Sequence, residues 1–386
     1  MSKLPKPHGG LLVNRMLADN KREAALKEAQ ELPRLHVNLE SILDAEKIAV
    51  GAFSPLEGFM NKEDYTSVLK EGLLANGLPW TIPIILTPTG KRNQETLKTI
   101  KEGDDIALFY NEKPIAIQYV EEKFDYNKKE LAKQIFGTTE TKHPNVNDLY
   151  EFGETIIGGK INLIQHVNFP APKYELTPAE TRKIFNDYGW KSIVAYQTRN
   201  PPHMVHEYIQ RCALEMADGL FIHPVIGKLK RGDFSADAIM ESYDFLVKNY
   251  YSKDRAVLAT LSLSMRYAGP KAAIFLAIIR KNYGCTHFVI GRDMAGVSNY
   301  YGAYAAQNAF KDLDLGIKPI LFSESFFCKH CRLVASNKTC GHDVADHFRI
   351  SMTALREMLK KGETPPAEMM RPEIAKILRK HIASLE

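Results

Sequence analysis

The chain has 386 residues, a formal net charge of +5, 45% hydrophobic residues and 25% charged residues. That length exceeds what one ordinary core holds, and the composition is that of a globular enzyme rather than a disordered or fibrous chain. No run approaches the roughly 18 apolar residues of a membrane helix, and so mild a charge decides neither for nucleic acid nor for an anionic small molecule.

The N-terminal stretch Met1-Ser2-Lys3-Leu4-Pro5-Lys6-Pro7-His8 lacks the apolar core of a secretory signal, so a cytoplasmic location is expected. Short β-like runs at 80–87, 105–110, 114–120 and 160–164, parted by Gly and Pro, predict a mainly β unit over 1–170. Two prolines in Phe169-Pro170-Ala171-Pro172 predict an extended, exposed connector. Strand candidates at 192–196, 220–226, 256–263, 287–290 and 317–322, mostly followed by helical patterns, predict a parallel sheet over 171–325 with its ligand at the carboxyl ends of the strands. The lysine-bearing helix after Pro270 and the run 228–233 read as solvated faces. Residues 326–386 read as a small appended unit with helices near 351–359 and 371–378.

Cys212 and Cys285 lie in apolar contexts and read as inert core thiols. Cys328, Cys331 and Cys340 form a Cys-x2-Cys-x8-Cys array followed by His342 and His347, which offers three thiolates and an imidazole to a tetrahedral Zn2+. His342 is the preferred fourth ligand because Cys340-Gly341-His342 is local; His347 is second choice. Four protein ligands leave no open position, so such a zinc is structural. Reduced, packed thiols are the plain alternative.

The densest chemistry lies in Gln197-Thr198-Arg199-Asn200-Pro201-Pro202-His203-Met204-Val205-His206, between a predicted strand and a helix over 207–217. Pro201 and Pro202 suit a first helical turn, where a missing N–H costs nothing. His203 and His206, three apart, would share a helix face beside free backbone N–H groups, which is an anion site. Two further strand ends carry arginine: Ser264-Met265-Arg266-Tyr267-Ala268-Gly269-Pro270 and Gly291-Arg292-Asp293-Met294-Ala295-Gly296. Glycines there let backbone N–H groups approach a ligand, and Arg292 suits bidentate contact with phosphate or sulfate. All three arginines are expected to reach one crevice. His8, His143, His223 and His287 are left as structural.

These motifs resemble those of ATP sulfurylase, the sulfate adenylyltransferase family. The first matches Gln-x-Arg-Asn-Pro-x-His-x-x-His, Met265-Arg266-Tyr267-Ala268-Gly269-Pro270 matches a second, and Gly291-Arg292-Asp293-Met294-Ala295-Gly296 nearly matches Gly-Arg-Asp-His-Ala-Gly. The likeness extends to Pro7-His8-Gly9-Gly10, Gly51-Ala52-Phe53-Ser54-Pro55-Leu56-Glu57-Gly58-Phe59, Phe136-Gly137-Thr138-Thr139 and His143-Pro144, and so spans the chain. The departures are Met294, where histidine is usual, and Ser351-Met352-Thr353, where Ser-Gly-Thr is usual. No Gly-x-x-x-x-Gly-Lys-Ser/Thr occurs, so a fused adenylyl sulfate kinase is not expected.

The resemblance implies an α/β chain: an N-terminal mainly β PUA-like domain, a Rossmann-like nucleotidyltransferase catalytic domain and a small C-terminal subdomain. The implied reaction converts ATP and sulfate to adenylyl sulfate and pyrophosphate by in-line attack on the α-phosphorus, with Mg2+ on the nucleotide. It assigns sulfate to Gln197, Arg199 and the Ala295 N–H. Thr198, Arg199 and Asn200 become catalytic, His203 and His206 hold the β and γ phosphates, and Gly291, Arg292, Asp293 and Met294 complete the ATP site. A homo-oligomer, by default a dimer, is implied, with no nucleic-acid or membrane partner. The competing readings are an adenylyltransferase for a larger acceptor, which leaves Arg199 without a duty, and an RNA-binding PUA-type protein, which lacks the expected basic stripe with interleaved aromatics.

Overall fold

A computed structural model describes residues 4–167, 169–228 and 233–382. In the N-terminal half the strands Asp105–Tyr110, Lys113–Tyr119 and Thr155–Leu163 pair antiparallel. Arg34–His36 runs parallel to the first of these at one edge, and Gly58–Phe59 and Glu122–Asp125 pair with the last. Residue 58 must be glycine, because a Cβ there would meet the Gly159 carbonyl oxygen at 1.9 Å. The run 80–87 is extended and buries Trp80, Ile82, Ile84 and Leu86, yet it is not a strand. Its carbonyls at Ile84 and Leu86 accept from Met60 and Ile157, but Pro83 has no N–H with which to continue a ladder.

The second sheet is wholly parallel. In space its strands run Lys318–Leu321, His287–Ile290, Ile193–Tyr196, Gly219–Ile222, Ala256–Leu258, so the first in sequence lies in the middle and the chain winds outward in both directions. Period-two alternation divides its side chains between two cores. Ile193, Ala195, Phe221, Phe288 and Ile290 face the core shared with the N-terminal half, while Val194, Tyr196, Leu220, Ile222 and Val289 face the other. Helices Pro178–Asp187 and Pro270–Asn282 cover the first face, and Met204–Leu214, Ala236–Tyr250, Met352–Lys360 and Pro372–Lys380 contribute to the second.

Three expectations about exposure are corrected. Helix Pro270–Asn282 is not a solvated face: residues 272–280 and Asn282 are buried, and Phe275 packs on Phe53 and Trp80 at ring separations of 5.2 and 5.5 Å. Its lysines stand at the ends, and apolar residues all round mark a helix wrapped on every side. Asn282 ties it to the N-terminal half, donating to the Ala52 and Ser54 carbonyls and accepting from the His8 N–H. The connector is docked, with Phe169 and Ala171 buried, Lys47 over the Phe169 ring at 5.0 Å and Ala171 left-handed. The C-terminal helices are no appendage, because Leu355, Leu359, Ile374 and Leu378 belong to the second core of the parallel sheet. Of the run 228–233, Lys228 pairs with Asp148 and Asp233 with Arg356; 229–232 lie outside the described residues. Cys285 is buried as expected, whereas Cys212 is only half-buried.

Candidate active site

Strand Ile193–Tyr196 delivers the first motif at its carboxyl end. Thr198 Oγ1 accepts the Asn200 N–H at 3.0 Å, and the Thr198 carbonyl accepts the Val225 N–H at 2.9 Å, which fixes the turn. Gln197 Oε1 is buried without a hydrogen-bond partner. A half-turn of that amide would place an N–H2 donor at the same spot. Arg199 lies over the Tyr267 ring at 4.9 Å. Burial pulls its guanidinium below the ordinary value, an effect that Asp233 opposes.

The helix begins later than the prolines suggest. Pro201 and Pro202 precede it, and His203 is the N-cap of Met204–Leu214. Its Nδ1 accepts the His206 N–H at 3.4 Å, and the two imidazoles stack with centroids 3.6 Å apart. Nor is the helix start lined with free donors, since the Met204 N–H is taken by the Met369 carbonyl at 3.0 Å. The side chains, more than the helix end, must therefore supply the contacts to an anion. His203 is buried, 6% exposed, rather than lining an open crevice. Burial holds its pKa well below the ordinary value, with His206 adding to the effect, and burial lowers His206 to about 4. Both are neutral at pH 7, so neither brings a positive charge to this edge of the sheet.

The third motif ends strand His287–Ile290. Asp293 and Ala295 are both left-handed, at φ 53° and 55°, in a turn closed by the Gly296 N–H on the Asp293 carbonyl at 3.2 Å and tied to the second motif by the Gly269 N–H on the Ala295 carbonyl at 3.0 Å. Such a turn presents backbone N–H groups to an anion. Gly269 has φ 52°, and a Cβ there would strike the Tyr301 ring at 2.6 Å. Met294 lines a pocket with Gly269, Pro270, Asp293, Gly296 and Tyr301. Arg292 is half exposed and leans on Asp293 at 2.8 Å, with Glu324 at 3.8 Å.

Arg266 does not join them. It is buried on Asp44 at 2.5 Å and Glu40 at 3.1 Å, binding the two halves of the chain together. The four histidines left as structural bond within the protein: His8 to the Pro79 carbonyl, His143 to that of Tyr267, His223 to that of Thr260 and His287 to Thr286. Sequence reasoning missed Tyr267 as the neighbour of Arg199, and Arg371, which grips Glu207 of the motif helix through three contacts of 2.8 to 2.9 Å. An aromatic inside an arginine-bearing motif was the available signal for the first. Nothing local marks the second, whose partners lie far apart in sequence.

The cysteine array closes on itself at the end of a three-stranded antiparallel sheet of Leu333–Ser336, Ser325–Cys328 and His347–Phe348. The ligand atoms of Cys328, Cys331, Cys340 and His342 all lie within 4.8 Å of one another. Cys331 and Cys340 sulfurs are 3.7 Å apart, and His342 Nδ1 stands 3.7, 3.1 and 3.5 Å from Cys328, Cys331 and Cys340. A tetrahedral zinc with Zn–S about 2.3 Å and Zn–N about 2.0 Å has edges of about 3.8 Å between sulfurs and about 3.5 Å from sulfur to nitrogen. The residues fit that ion. His347 is turned away, stacked on Phe326 at 3.6 Å.

An outward-wound parallel sheet whose strand ends gather a half-buried guanidinium, an amide, paired imidazoles and a left-handed turn defines an α/β protein built to hold anionic groups at that edge. The ATP-sulfurylase family model matches residues 172–381, and a PUA-like domain matches residues 5–166. Sulfate adenylyltransferase of Staphylothermus marinus is 48% identical over 376 residues, 97% of each chain. That of Pyrococcus abyssi is 47% identical over 375 residues, again 97% of each. Among solved structures, one described as a hexameric APS kinase from Thiobacillus denitrificans superposes with a TM-score of 0.76 at 23% identity, covering 98% of this chain and 68% of that one, a likeness of fold. The chain belongs to the ATP-sulfurylase family.

Proposed function

We propose that the chain is a sulfate adenylyltransferase, converting ATP and sulfate to adenylyl sulfate and pyrophosphate. A sulfate oxygen bonds to the α-phosphorus while the bond to the β-phosphate oxygen breaks, and pyrophosphate leaves on the opposite side. Sulfate is already fully ionised, so the protein needs no general base. Its work is to hold two anions together and to meet the charge that grows on the leaving group.

The observation that carries this reading is the pairing of Arg199, a half-buried guanidinium stacked on an aromatic ring, with Gln197, whose amide has a buried atom without a partner. Together they match a small tetrahedral anion. Gln197, Arg199 and the Ala295 N–H take sulfate; Thr198 and Asn200 support the reacting phosphorus and the pyrophosphate. His203 and His206 donate neutral N–H groups to the β and γ phosphates, and Gly291, Arg292, Asp293 and Met294 bound the nucleotide. Mg2+ enters on the polyphosphate, whose charge it lowers. Zn2+ on Cys328, Cys331, Cys340 and His342 is structural. A domain division at 170, a cytoplasmic location and a homodimer complete the proposal.

The test is ATP–pyrophosphate exchange with purified protein. Exchange should require sulfate, and selenate and molybdate should compete as tetrahedral dianions. Exchange that proceeds equally without any oxyanion would overturn the assignment.

A further inference from the structure

We infer that Tyr267 is the positioning residue for Arg199, and that His143 and Asn145 hold Tyr267 in place, so that the N-terminal half of the chain completes the oxyanion site. The inference rests on the reading of Arg199 as the sulfate ligand given above.

Residues 262–268 leave the catalytic sheet without a strand partner, so the polar backbone of Tyr267 needs others. It finds them largely in the N-terminal half. The Tyr267 N–H donates to Asn145 Oδ1 at 2.8 Å, and the Tyr267 carbonyl receives His143 Nε2–H at 2.9 Å. Asn145 Nδ2 donates to the Met265 carbonyl at 3.1 Å, gripping the same segment just upstream. The Tyr301 hydroxyl, from the loop after the third motif, sits 2.8 Å from the Tyr267 carbonyl and 3.0 Å from that of Phe136. His143 is fully buried and Asn145 half-buried, so neither contact yields readily to water.

The ring held in this way lies under Arg199 at 4.9 Å. An aromatic face orients a guanidinium without consuming its N–H groups, whereas a carboxylate would occupy the very fork an oxyanion needs. The same segment shows the contrast: Arg266, one residue away, is taken up by Asp44 and Glu40. Tyr267 thus keeps Arg199 ordered, charged and open to an anion.

Steady-state KM values for sulfate and for ATP, measured separately, test this. Tyr267→Leu should raise the sulfate KM about tenfold and leave the ATP KM within about twofold, the scale of a desolvated cation–π contact. Tyr267→Phe keeps the face and should stay close to the unsubstituted protein. Asn145→Ala, the milder change and the deciding variant if Tyr267→Leu does not fold, should raise the sulfate KM about threefold. Equal rises in both KM values, or a loss of melting temperature with both KM values unchanged, would overturn the inference. Arg199→Lys separates the two levels. If it raises the sulfate KM and Tyr267→Leu does not, the sulfate assignment stands and the positioning role falls; if it leaves the sulfate KM unchanged, both fall.

Discussion

Replacing His203 separates its two duties. As N-cap it accepts the His206 N–H through Nδ1, and its ring is buried against that of His206. His203→Ala should lose about 1 kcal/mol for the cap and about 1 to 2 kcal/mol for the packing left unfilled. A total loss of about 2 to 3 kcal/mol should be visible as a lower urea midpoint by circular dichroism. If Nε2–H also serves the polyphosphate, transition-state stabilisation falls by a further 2 to 4 kcal/mol or so, roughly 30- to 1000-fold in kcat/KM. His203→Asn distinguishes the duties, because its Oδ1 replaces the Nδ1 acceptor while nothing reaches the place of Nε2. Asn should recover about 1 kcal/mol of the lost stability and none of the lost exchange activity. Recovery of both, or full activity per folded molecule in the Ala variant, would show that His203 is a cap alone.

Arg199→Lys should lose most of the sulfate-dependent exchange while ATP still binds by calorimetry, since a point charge cannot reproduce a stacked fork; turnover close to normal would remove Arg199 from the sulfate site. Elemental analysis should find about one zinc per chain, and chelation should lower thermal stability before it lowers the turnover of still-folded enzyme; metal-free protein with an unchanged melting curve would leave the cysteines as packed thiols. Because burial holds His206 at about 4 in the folded chain, against 6.5 when exposed, the unfolded chain binds the extra proton. Stability is therefore fully present above pH 6.5 and lost as pH falls towards 4, with a slope of up to about 1.4 kcal/mol per pH unit. His206→Gln should make urea midpoints measured across that window fall less steeply, while His203 and the other buried histidines keep their share of the slope, and an unchanged slope would refute the shift.

Local patterns carried much of this protein in legible form. Apolar runs located the strands Asp105–Tyr110 and His287–Ile290 to the residue, because a strand buried on both faces must be apolar throughout. The cysteine spacing, with a glycine before His342, named the four side chains that converge, since ligands so close in sequence need only one tight turn. What misled was burial, which one segment does not determine. Two lysines made the helix after Pro270 read as a solvated face, but they stand near its ends and the middle is wrapped by the other half of the chain. Arg266 and Arg199 looked equivalent at strand ends, and only the fold brings Asp44 and Glu40 to one and the face of Tyr267 to the other. Likewise the helix start at 204 read as a free anion site until Met369, from the far end of the chain, supplied its carbonyl. The sequence by itself determined the elements and the chemical groups of the site, because periodicity and motif spacing are local. Which charges stay free for substrate was decided by tertiary structure alone, because desolvation and pairing depend on partners up to hundreds of residues away.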